Sequence, residues 1–144
     1  MRTLWLRDRA LDLDRVRLLG VLNLTPDSFS DGGRYLDPER ALERAREMVA
    51  EGADILDLGA ESTRPGAAPV PVEEEKRRLL PVLEAVLSLG VPVSVDTRKP
   101  EVAEEALKLG AHLLNDVTGL RDERMVALAA RHGVAAVVMH MPVP

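Results

Sequence analysis

The chain has 144 residues, a net charge of −5, 2% aromatic residues and no cysteine. One domain of this size buries roughly two thirds of its unfolded surface; scarce aromatics exclude a stacking platform for single strands, and the acidic balance excludes duplex nucleic acid as a partner. Without cysteine there is no disulfide framework and no thiolate zinc site. Met1 to Arg9, with three arginines and no long apolar core, reads as neither signal peptide nor membrane span, so the composition suits a soluble cytoplasmic protein.

In chain order, Leu4 to Leu6 and Leu11 to Leu13 flank a charged turn and predict a small hairpin closing the amino end of a sheet, within an N-terminal segment 1–16. Leu18 to Leu22 is a short apolar run that stops at Asn23. Asp37 followed by Pro38 reads as a helix cap and first residue, with Ala41, Leu42, Ala45, Met48 and Val49 as the apolar stripe and Gly52 as the stop. A second run, Asp54 to Leu58, leads to Glu61. The next helix is predicted from about Val72 to Leu89, its Glu73, Glu74 and Glu75 complementing the dipole, and Pro81 is expected to kink or restart it.

Val91 to Val95 stops at Asp96, and a helix from Pro100 to Gly110 follows, capped by Thr97 or the neighbours of Lys99. His112 to Leu114 stops at Asn115, Asp122 to Arg131 predicts a fourth helix before Gly133, and Val134 to Met139 stops at His140. Strand, polar end, helix and glycine in repetition indicate parallel βα units, in which ligands bind outside the carboxyl ends of the strands. Two connections are unusual. Asn23 to Leu36 and Ala60 to Val70 are long and rich in turn residues, as suits binding loops or lids, whereas the connections after Asp96 and Asn115 are short and predict a rigid floor.

Gly20 to Gly33, G-V-L-N-L-T-P-D-S-F-S-D-G-G, and Asp57 to Gly66, D-L-G-A-E-S-T-R-P-G, resemble the two signature loops of dihydropteroate synthase. S-V-D-T at Ser94 to Thr97 and L-N-D at Leu114 to Asp116 fall where that family places its pterin-binding aspartate and asparagine. The resemblance runs from Arg17 onward. It implies a TIM (β/α)₈ barrel, of which this chain covers about the first five strands as one pterin-binding domain, 1–144, incomplete at its C-terminus. A five-stranded doubly wound sheet suits the length too, but the first loop lacks the glycine-rich turn of a Rossmann unit.

The same resemblance implies condensation of 6-hydroxymethyl-7,8-dihydropterin diphosphate with p-aminobenzoate to dihydropteroate and diphosphate, a transferase reaction of folate biosynthesis. It places Asp96 and Asn115 on the pterin, Thr63 on the pterin diphosphate, and Asp31, Phe29 and Pro65 around the p-aminobenzoate. Arg64 is the cation for diphosphate or a loop aspartate, so Asp31 and Arg64 are the implied catalytic pair. Asn23 supplies an oxygen to Mg²⁺, and the full-length protein is expected to be a homodimer. Residue types fit this chemistry, because a pterin presents N–H donors beside ring-nitrogen acceptors and so needs a carboxylate and an amide. Where many family members have a second glycine this chain has Ala60, a strained position if it needs a positive φ. Alternative readings are the methyltetrahydrofolate-binding barrel of a corrinoid methyltransferase and a non-catalytic half-barrel subunit.

Overall fold

The computed structural model describes residues 2–7, 9–24, 37–60, 70–116, 118 and 120–138. A hairpin of β1 (Thr3–Leu6) and β2 (Arg9–Asp12) comes first. Then follow β3 (Leu19–Asn23), α1 (Pro38–Ala50), β4 (Ile55–Gly59), α2 (Val72–Leu87), β5 (Val93–Asp96), α3 (Pro100–Leu109), β6 (Leu113–Asp116), α4 (Glu123–His132) and β7 (Ala135–Val138).

The sheet order β3-β4-β5-β6-β7 follows the sequence, and every pairing in it is parallel. That order rules out the doubly wound alternative. A doubly wound sheet reverses strand order at a switch point and puts helices on both faces, whereas sequential right-handed crossovers put every helix on one face, as in a barrel wall. The packing agrees: α1, α2, α3 and α4 touch in succession along that face.

Strand alternation divides the side chains cleanly. Leu22, Leu56, Leu58, Val93, Val95 and Leu114 join Ala41, Ala45, Leu79, Val82, Leu83, Val86, Val102, Ala103, Ala106, Leu107, Met125 and Leu128 in the core between sheet and helices. Each fully buried leucine there contributes about 2 kcal/mol by transfer from water. The residues between them face the concave side. At its amino end Ile55 and Leu113 pack with Leu6 and Leu11 of the hairpin, so β1 and β2 close the bottom of the barrel interior. Leu19, Val21 and Val137 of the two outer strands expose about half of their surface on this concave side.

Local signals explain the helix ends. Asp37 Oδ1 accepts from Glu39 N–H at 3.0 Å and Asp122 Oδ1 from Arg124 N–H at 2.9 Å, so both aspartates cap their helices from outside. Gly133 closes α4 at φ 63°, a left-handed conformation that glycine adopts without cost. Pro81 does not restart α2, which continues as one helix through it to Leu87 rather than Leu89, forfeiting one ladder bond while Leu79, Val82 and Leu83 stay packed in the core. Ahead of α3 the cap residue is Lys99, and among the described residues no side chain caps the helix. Thr97 Oγ1 accepts the Lys99 N–H instead.

Candidate functional site

The carboxyl end of the sheet carries one row of register partners on the concave face: Asn23, Gly59, Asp96, Asn115 and Val137. Directly beneath lies the row Val21, Asp57, Ser94, Leu113 and Ala135. Polar groups thus occupy two successive levels, Asn23, Asp96 and Asn115 above and Asp57 and Ser94 below. Sequential parallel pairing creates this concentration, because β3, β5 and β6 reach their polar ends at the same height.

Asp96 is half-buried and stands next to Asn115, its register partner on β6. On the other side is Gly59, where a Cβ would meet Asp96 Cβ at 3.3 Å and Oδ2 at 3.6 Å. The missing side chain of β4 is the space into which the carboxylate leans. Asn23 ends β3 beyond Gly59 with an exposed side chain, and the chain is fixed just after it by Leu24 N–H donating to Gly59 O at 2.7 Å.

Below this row, Asn115 Nδ2 donates to Asp57 Oδ2 at 3.3 Å. An ionised carboxylate only accepts, so Asp57 fixes which way the amide faces. Asp57, 2% exposed, is pushed above the usual carboxylate range by burial, offset in part by the Ser94 hydroxyl and the Asn115 amide. Among the described residues, Asp57 Oδ1, Ser94 Oγ and Asn115 Oδ1 are buried and find no hydrogen-bond partner. Buried polar atoms are normally paired, so three such atoms on adjacent strands make this the candidate place for a polar ligand or a bound water.

Of the residues expected from the sequence, the structure brings Asn23, Asp96 and Asn115 into one row. Phe29, Asp31, Thr63, Arg64 and Pro65 lie outside the described residues, as do Glu61, His140 and most of the two long loops. At the root of the second loop, Ala60 is buried and its carbonyl accepts from Arg78 Nη1 at 3.3 Å. Among the described residues only Arg7 and Leu120 are non-glycine positions with positive φ, so Ala60 carries no such strain.

Asp57 and Ser94 are not among the site residues expected from the sequence. For Asp57 the signal was present in part: it interrupts the run Ile55–Gly59, every residue of which is buried, and a charge inside such a strand asks for a partner. Ser94 carried no comparable signal, since a buried serine between valines is ordinary strand composition.

Residues 19–144 match the family model described as "Pterin binding enzyme". The chain is 56% identical over 127 residues to a probable bifunctional folylpolyglutamate synthase/dihydropteroate synthase of Haloferax volcanii, covering 88% of this chain and 15% of that one. Among solved structures, dihydropteroate synthase from Thermus thermophilus in complex with 6HMPPP is 88% identical with a TM-score of 0.83, covering 98% of this chain and 50% of that one. The same enzyme in complex with 4-aminobenzoate is 89% identical with a TM-score of 0.83, covering 99% and 50%. The chain therefore spans about half the length of the synthase structures it matches.

Proposed function

The chain belongs to the pterin binding enzyme family, and from that premise we propose that it forms the amino-terminal part of a dihydropteroate synthase. The reaction joins the p-aminobenzoate amine to the methylene carbon of 6-hydroxymethyl-7,8-dihydropterin diphosphate. A C–N bond forms, the C–O bond to diphosphate breaks, and the amine proton is lost to solvent or a base. The observation that carries this reading is the row of Asp96 and Asn115 above Asp57, with buried acceptors left open on Asn115 and Asp57.

A pterin fits that set. Its exocyclic amine and ring N–H groups donate to carboxylate and amide oxygens, and an amide beside them can also donate to a ring nitrogen. Asp96 takes ring donors, Asn115 presents Oδ1 because its amino group is held by Asp57, and the desolvated surroundings strengthen each bond. The same floor excludes water from the ring while the methylene and its diphosphate stay toward the carboxyl ends of the strands, where Asn23 stands.

Asn23 also suits a hard cation that takes few protein ligands. Magnesium takes few protein ligands and keeps most of its waters, so the side-chain oxygen of Asn23 would be enough to hold one beside the diphosphate. When bound, it neutralises charge on the departing diphosphate. Thr63, Arg64, Asp31, Phe29 and Pro65 are assigned on the same family grounds to the diphosphate and the p-aminobenzoate, and residues 1–144 to a single barrel domain. A cytoplasmic homodimer follows from the family too; sedimentation of the full-length protein tests it.

The direct experiment is binding of 6-hydroxymethylpterin to the full-length protein, with and without diphosphate attached. Tight binding of the diphosphate, followed by dihydropteroate formation on adding p-aminobenzoate, supports the synthase. Binding of methyltetrahydrofolate in its place contradicts it.

A further inference from the structure

Behind the floor, on the helix side of β5, sits a second polar cluster whose side chains lie across the sheet from the row just described. Glu75, in the first turn of α2, is 1% exposed. Its Oε2 accepts from Thr97 Oγ1 at 2.6 Å and its Oε1 from Lys99 Nζ at 2.6 Å. Thr97 Oγ1 in turn accepts from Lys99 N–H at 3.2 Å. Bond directions are forced: a backbone N–H can only donate, so the single hydroxyl proton of Thr97 must go to Glu75.

The cluster lies immediately next to Asp96 in sequence. Thr97 continues the ladder past the end of β5, its N–H donating to Asn115 O at 3.1 Å, while its side chain is buried toward the helices. One residue is therefore pinned to β6 through its backbone and to α2 through its side chain. The peptide that carries Asp96 cannot turn without breaking one of these bonds. Stability alone does not call for a buried ion pair here, since well-packed apolar side chains of similar volume are commonly as stable.

We propose that Glu75, Thr97 and Lys99 form a positioning unit that sets the direction of the Asp96 carboxylate, and that pterin affinity depends on it. The unit acts on substrate only through Asp96, and so rests on the pterin reading of the row. Its other consequence is mechanical. Because Glu75 belongs to α2, whose first turn follows directly on the segment holding S-T-R-P-G, the floor and the start of that helix are tied by side-chain bonds.

The test uses the full-length protein, with 6-hydroxymethylpterin as probe and thermal melting alongside. Thr97→Val keeps the shape and removes both bonds of the hydroxyl. It is expected to weaken pterin binding on the order of tenfold, comparable to losing the groups that orient a ligating side chain. Thr97→Ser should restore binding. The double variant Asp96→Asn with Thr97→Val should bind no worse than Asp96→Asn alone, because the two lie on one chain of cause. A lowered melting temperature with unchanged pterin affinity, or losses that simply add in the double variant, would overturn the proposal. If Asp96→Asn alone leaves pterin affinity intact, the pterin reading itself fails and this unit falls with it. Should Thr97→Val not fold, Glu75→Gln carries the same expectations.

Discussion

Gly59 and Asp96 are register partners on neighbouring parallel strands, and the absence of a side chain on the first decides where the second can go. A Cβ on Gly59 would lie 3.3 Å from Asp96 Cβ, tighter than an ordinary carbon contact. Gly59 is not among the glycines with positive φ, so its backbone accepts alanine and the whole effect of substitution falls on its neighbour. Gly59→Ala should therefore weaken pterin binding several-fold with little change in melting temperature, and Gly59→Val should weaken it more. Titration of both variants checks this; equal stability losses with intact binding would show that the contact is only structural.

How much of this was legible beforehand differs by element. The hairpin, four helices and five parallel strands follow from hydrophobic periodicity, aspartate caps and terminal glycines, because those signals are local. Pro81 shows where a local rule yields: proline inside a helix is a local cost, and the packing of Leu79, Val82 and Leu83 on the sheet outweighs one lost ladder bond, so α2 runs on without a restart. Asp96 and Asn115 were readable as strand-end residues. Asp57, the partner of Asn115, was readable only as a charge inside a buried strand, since its role comes from a bond between residues 58 positions apart that no periodicity encodes. Thr97 reversed its expected part, being spent on Glu75 rather than on capping α3.

Asp57 gives a prediction about pH. Burial raises its folded-state pKa above the unfolded value. Between those two values the folded chain holds a proton that the unfolded chain has released, so stability falls as pH rises through that window and stays lower above it. Asp57→Asn removes this dependence. The variant should gain about 1 kcal/mol near neutral pH, a typical cost of a half-satisfied buried acceptor, while losing pterin affinity because the amide of Asn115 is no longer held by a charge. Denaturant titrations of both proteins from about pH 4 to 8 check the sign; stability of the parent that rises with pH across the window attributable to Asp57 would contradict it.

Asn23 stands at the exposed end of the row, on the outer strand β3. Asn23→Ala should weaken binding of the pterin diphosphate in the presence of magnesium and leave the bare pterin almost unaffected, since only the former brings oxygens that share a cation. Isothermal titration with each ligand separates these cases. Equal losses for both would make Asn23 a structural residue at the strand end.

The central claim is that the floor formed by Asp96 and Asn115 reads a pterin, and its most direct test is titration of 6-hydroxymethylpterin into full-length protein carrying Asp96→Asn. The substitution keeps the shape and replaces an acceptor by a donor facing a ring N–H. In a desolvated pocket that mismatch costs on the order of 2 kcal/mol, or about 30-fold in affinity, with the melting temperature changed far less. Affinity reduced by that order, with folding intact, is the predicted result. Unchanged pterin affinity in the folded variant would contradict it.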